Sequence, residues 1–212
     1  MTEFEQPPPA AGYAEQIGAA GTTVKSGIVS SLKGVDDIER EIVSLVRNTV
    51  SNTIKATGSV SGEAVDTVRD VVKGAISASE EVGAGLVLAS KSVAKGVVMG
   101  VSDVGGDVIG AAAETARAAV KGAADVGADV ALVARSTVDG TVEAARETGG
   151  NVAATAVAAA NGAIMEAGNI SKTAAAAVTD VLSTVVTGVK QVAGAILPKA
   201  AGEAEAKPPS EA

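Results

Sequence analysis

Asp103 and Asp107, four residues apart and so on one side of a helix, are the closest this chain comes to a ligand pair for a hard cation. No further ligand converges on them in the sequence, and no metal site is expected. Asn169-Ile170-Ser171 has the spacing of a glycosylation acceptor, but no secretory signal accompanies it, so the match reads as coincidence. The chain has no His and no Cys, which removes the Ser-His-Asp triad, the thiolate nucleophile and the Cys/His zinc site together. It carries neither a phosphate-cradling glycine loop nor a dinucleotide fingerprint. A net charge of −8 argues against a nucleic-acid partner, because phosphate binding needs clustered Lys and Arg. The expectation is a protein without catalytic residues, with no cofactor and no small-molecule substrate.

The remaining chemistry lies in where the charges stand. The segment starting VGAGLVLASK at Val82 aligns without gaps on VGADVALVAR at Val126, a shift of 44 residues, or four elevens. Each residue therefore takes a slot, its number modulo eleven. Three helical turns per eleven residues is about 98° per residue, close to the α-helical value. On that wheel slots 1, 5, 9, 2, 6 and 10 are contiguous over about 164°, and slots 3, 7, 0, 4 and 8 fill the remainder. Of the 34 charged residues between Val24 and Leu197, 32 fall in the second set, leaving Glu39 and Glu166. Chance would place about 15 there, and a period of two predicts no such segregation, so the elements are helices and not strands.

Within the apolar set, slot 5 holds Ile38, Val82, Val93, Val104, Val126, Ile170, Val181 and Val192, with Val60 and Val71. Slot 9 holds Ile42, Leu86, Val97, Val108, Val130, Val152, Val185 and Ile196. Slot 10 holds Val43, Ile54, Val65, Ile76, Val87, Val98, Ile109, Val120, Val142, Ile164, Val186 and Leu197, with Leu32. Slots 1, 2 and 6 are mainly small or apolar. These residues form the expected lipid-facing or partner-facing stripe. The polar side is sorted laterally. A basic edge runs through Lys25, Arg47, Arg69, Lys73, Lys91, Lys95, Arg117, Arg135, Arg146, Lys172 and Lys190, and slots 4 and 8 are acidic wherever charged. Two explanations stand: a solvated face with intrahelical pairs such as Asp70–Lys73 and Glu114–Arg117, or helices that dock edge to edge, giving side-by-side self-association.

The fold class expected is all-α: one long amphipathic helix, or a few long helices, built from eleven-residue repeats. Residues 21–197 form this region. Residues 1–20, with Pro7 to Pro9, and residues 198–212, opened by Pro198, read as disordered tails. Gly105-Gly106 and Gly149-Gly150, also 44 residues apart, are candidate hinges. The longest uncharged run, Thr148 to Met165, is too polar to span a membrane, and the chain is expected to be cytoplasmic and peripheral to a surface. Each of the 21 glycines between Val24 and Leu197 costs a helix about 1 kcal/mol against Ala, so a lone helix should be marginal in water. Nearly fifty aliphatics laid on an apolar surface would outweigh that cost, at roughly 1 kcal/mol each.

VVTGVKQVAGAIL and AVDTVRDVVKGA resemble the eleven-residue repeats of perilipins and synucleins. The resemblance implies an amphipathic helix that folds on lipid droplets or vesicles. The chain is poorer in Lys and richer in Ala and Asp than synucleins, which detracts from selectivity for anionic lipid. Group 3 late-embryogenesis-abundant proteins and the phasins that coat storage granules are similar more loosely. The first expectation for function is a non-catalytic coat or scaffold adsorbed on a lipid droplet, storage granule or membrane. The second is a protein-only assembly: a bundle, right-handed coiled coil or filament. The third is stress protection.

Overall fold

Between Val101 and Val108 the chain stops one helix and starts the next, and the residues show why. Gly105 takes φ +68°, its N–H donates to Ser102 O, and the Gly106 N–H donates to Val101 O at 3.0 Å. That double closure, with glycine in the left-handed region, is the Schellman stop. Asp107 then accepts from the N–H groups of Ile109 and Gly110 and starts the next helix as its N-cap. The same punctuation recurs at Gly127-Ala128-Asp129 and Gly149-Gly150-Asn151, with Gly127 at φ +70° and Gly149 at +72°.

The computed structural model describes residues 19–57, 63–82 and 85–196, and among these every element is a helix. They are α1 (Ala19–Thr57), α2 (Glu63–Val82), α3 (Leu86–Asp103), α4 (Val108–Asp125), α5 (Val130–Glu147), α6 (Val152–Ile170) and α7 (Lys172–Ile196). The tails expected to be disordered lie almost wholly outside the described residues. The chain divides into two units between Glu41 and Ile42, within α1. In the first unit, Arg40 pairs with Asp37 at 2.8 Å, one turn away, and Val35 and Ile38 are exposed.

In the second unit the apolar residues do not lie on one continuous helix. Helices α3 to α6 open at Leu86, Val108, Val130 and Val152, a spacing of 22 residues, or two elevens. Each is 18 or 19 residues long, about 27 Å at 1.5 Å per residue. Helices α3, α5 and α7 form one layer with the 42–57 stretch of α1; α2, α4 and α6 form the other. The most extensive packing is between α3 and α5 and between α4 and α6, the second neighbours along the chain. Within a layer the helices run parallel: residue numbers rise together from Arg69–Glu114 to Ile76–Gly122 on α2 and α4. The 44-residue repeat is therefore a pair of antiparallel helices, one from each layer.

Mid-helix glycines allow this close docking. A Cβ on Gly140 would collide with Lys91 O, and one on Gly162 with Ala113 O. On Gly96 it would come within 2.9 Å of Val43 O, and on Gly100 within 2.8 Å of Arg47 O. Backbone atoms cannot yield as side chains do, so these positions exclude even Ala. The three left-handed turn glycines do not carry the cost expected of glycine in a continuous helix, and at the four docking glycines that cost is offset by the close approach glycine permits.

The core is filled by Val and Ala. Its deepest residues occupy slots 2 and 6: Val46, Val50, Val68, Val72, Val101, Ala112, Ala116, Ala134, Val138, Ala156, Ala160, Val178 and Leu182 are all buried. Threonine enters the core without leaving its hydroxyl stranded. Thr115, Thr137 and Thr155 each donate to the carbonyl four residues back at 2.7–2.9 Å.

Candidate functional site

Two surfaces follow from the sequence, the apolar stripe and the charged edges, and the fold uses both internally. Of the stripe, Ile54, Ile76, Val93, Val97, Val98, Val120 and Val142 are buried. Ile42, Val43, Val65, Leu86, Val104, Val108, Val126, Val130, Val152, Ile164, Val181, Val185 and Val186 are half-buried. Ile38, Val87, Ile109 and Ile170 are exposed. The side chains of Val82, Val192 and Ile196, and all of Leu197, lie outside the described residues.

Slot 10 shows the reason for this spread. Ile54, Ile76, Val98, Val120 and Val142 stand 22 residues apart and are buried against neighbouring helices, whereas Val87 and Ile109, one eleven out of step, fall in the first turns of α3 and α4. Slot 8 divides in the same way. Its members at helix starts are the caps Gly85, Asp107, Asp129 and Asn151. Mid-helix it supplies Gly96, Gly140 and Gly162, the docking glycines. The acidic character of slot 8 is largely a capping requirement. A period of eleven merges these two roles; a period of 22 separates them. The signal was present in the sequence as Gly-[Gly/Ala]-[Asp/Asn]-Val at 105, 127 and 149.

The charged edges meet within the chain. The basic edge of one helix faces the acidic edge of the second helix onward. Arg47 grips Asp103 with two bonds of 2.6 and 2.7 Å. Arg69 binds Glu114. Lys95 lies 2.7 Å from both Glu143 and Glu147, and Lys91 lies 3.0 Å from Glu143. Edge-to-edge docking is thus a feature of one chain, alongside local pairs such as Asp66–Arg69 and Glu114–Arg117 at 3.5 and 3.7 Å. Of the other bases, Arg135 pairs with Asp139 at 3.8 Å on its own helix. Arg146 lines a groove between α5 and α7, Lys172 is exposed at the start of α7, and Lys73 lies in a groove beside α4. The side chains of Lys25 and Lys190 are not among those described.

Contacts in this set shift the titration of Asp103, Glu143, Lys95 and Asp139. The hydrogen bond from Arg47 holds the Asp103 carboxyl below its ordinary value, against a smaller opposing effect of burial. The bond from Lys95 does the same for Glu143. For Lys95, burial works to lower the pKa, but the bonds to Glu143 and Glu147 together outweigh it and the net shift is upward. Burial pushes Asp139 up despite nearby Arg135.

The residues singled out for metal or sugar chemistry have structural roles. Asp103 is engaged by Arg47, and Asp107 caps α4. Among the described residues no group of three acids is placed to hold a metal ion. Ser171 caps α7 by accepting from the Ala174 N–H at 3.0 Å, and Asn169 donates to Glu166. No described helix is long and apolar enough to cross a membrane. Neither the models of known families, nor the curated proteins, nor the solved structures contain a match to this chain.

Proposed function

We propose from the chain's own pattern that it is a non-catalytic amphipathic-helix coat, which stores its apolar face in the folded stack and opens onto a lipid or other apolar surface. The observation that carries this reading is the phase of the stripe through the turns. Val104, Val108, Val126 and Val130, in and beside the turns, pack against the core of the stack and at the same time keep slots 5 and 9, so one set of side chains serves the folded stack and a straightened stripe alike. Straightened into helix at those turns, α3 to α6 would present one stripe again, about 164° wide. The core supports the same reading: Val and Ala interlock less deeply than aromatics, and a surface can replace such contacts.

A second reading has its own support. The glycine contacts and ion pairs between helices are matched in detail, as expected of a scaffold that works while folded.

Replacing Gly105, Gly127 and Gly149 together with Ala separates the two. Ala in the left-handed region costs about 1 kcal/mol per turn, and Ala in a straightened helix gains about 1 kcal/mol. The triple variant should therefore unfold at lower urea without lipid yet bind oil emulsions or vesicles more tightly, as read by circular dichroism and flotation. Weaker binding in step with weaker folding would overturn the coat and favour the folded scaffold.

A further inference from the structure

A groove of about 580 Å³ runs between α2 and α4, flanked by Glu166 of α6. That volume is within the usual range for small-ligand sites. Four cations line it. Arg69 and Lys73 stand one turn apart on α2, and Arg117 and Lys121 stand one turn apart on α4. Beneath them the lining is apolar, from Ile76, Ala118 and Val126.

The bases are not equally engaged. The lining holds three carboxylates, Glu114, Asp125 and Glu166, against its four bases, and Asp66, beside the groove, also pairs with Arg69 at 3.5 Å. Glu114 is shared by Arg69 and by Arg117 at 3.7 Å, and Asp125 stands 4.0 Å from Lys121. Lys73 is exposed and forms no ion pair among the described residues. The other layer differs. Lys95, the corresponding base on α3, is held by Glu143 and Glu147, and the groove between α5 and α7 carries two bases and two acids.

We infer that the α2–α4 groove binds a single-chain anionic amphiphile, a long-chain carboxylate. Its head lies between Lys73 and Lys121, and its chain runs over Ile76, Ala118 and Val126. A cationic rim over an apolar floor matches that chemistry at both ends: the head keeps ionic partners at the solvent edge while the chain leaves water. The site belongs to the closed stack, so it does not depend on the opening proposed above.

Calorimetric titration of the full chain without vesicles tests it, using decanoate below its micelle threshold, decanol and acetate. Decanoate should bind saturably, one per chain, at least tenfold more tightly than decanol, and acetate should give no binding. Lys73→Gln with Lys121→Gln should weaken decanoate at least tenfold with helix content unchanged, since both side chains are exposed. Ala118→Phe, which fills the floor and leaves every charge in place, should weaken it as well. Equal affinity for decanol and decanoate, binding of acetate, or wild-type affinity in the lysine variant would each overturn the assignment. Vesicle flotation of the same variants reports separately on the coat.

Discussion

Helices α2 and α6 flank the same partner, α4, and hold it by different means. α2 gives the core three aliphatics, Val68, Val72 and Ile76. α6 gives it alanines, among them Ala156, Ala160 and Ala163, and lets Gly162 lie directly on the backbone of α4 at Ala113. The first attachment is one of buried area, which changes gradually with side-chain size. The second is one of proximity, where many short contacts replace a few large ones and any added atom has no room. The alanine-rich pair α4–α6 is also the more extensively packed. Low side-chain volume here is a condition of tight packing.

Gly162→Val should show the contrast at its strongest. Its branches would meet the Ala113 carbonyl region, where nothing can yield, and the loss should be about 3 kcal/mol or more in urea denaturation. Gly74→Ala, in the same slot on α2, meets nothing within 4 Å and should be neutral or stabilise by up to about 1 kcal/mol. Equal responses at the two glycines would remove the distinction between area and proximity.

Ile76→Ala should cost about 2–4 kcal/mol, as for other buried aliphatic truncations. A Cβ on Gly122 would collide with Cδ1 of Ile76, the far end of a flexible side chain. Gly122→Ala should therefore destabilise the parent chain but be harmless or helpful in the Ile76→Ala background. Additive effects in that cycle would show that Ile76 does not occupy the space above Gly122.

Asp107→Ala and Asp129→Ala should each cost about 1 kcal/mol by leaving two N–H groups uncapped. Asp107 caps α4, the partner both attachments share, and Asp129 caps α5, which packs on α4 and α6, so thermal melts should show one transition lowered and not a split one.

Acidification should act more weakly still. Asp103 and Glu143 have pKa values below the ordinary 3.8 and 4.5. Their contribution is complete above those ordinary values and is lost as pH falls through the lowered ones. Asp139, raised by burial, has the opposite sign: protonation relieves it. Denaturation at pH 6 and pH 3 should show a small net loss at the lower pH. Asp103→Asn should reduce that loss, and salt should reduce it too.

The all-helical character was legible in the sequence, from charges confined to one side at a helical period, and every described element is a helix. What was not legible arose from folding the sequence onto eleven slots. Asp107 and Gly96 share a slot, yet one starts a helix and the other seats a neighbour's backbone. Gly127-Ala128 turns the chain as sharply as Gly105-Gly106, but a search for glycine pairs passes over it. The large aliphatics drew attention to slots 5, 9 and 10, while the centre of the core fell on slots 2 and 6, where Ala116 and Ala160 look unremarkable. Depth depends on which side faces several neighbours at once, and composition alone does not reveal that.

The even spacing of the turns makes the molecule a counting device for its own gene. Removing 44 residues deletes one helix from each layer, and every survivor meets a neighbour of the kind it had before. Removing 22 keeps each cap and each docking glycine in place but inverts all that follows, exchanging the layers. Removing eleven puts a glycine where a cap is needed and a cap where a glycine is needed. Lengthening or shortening by unequal recombination is structurally silent in one of these three registers, so copies of differing length should differ by whole helix pairs.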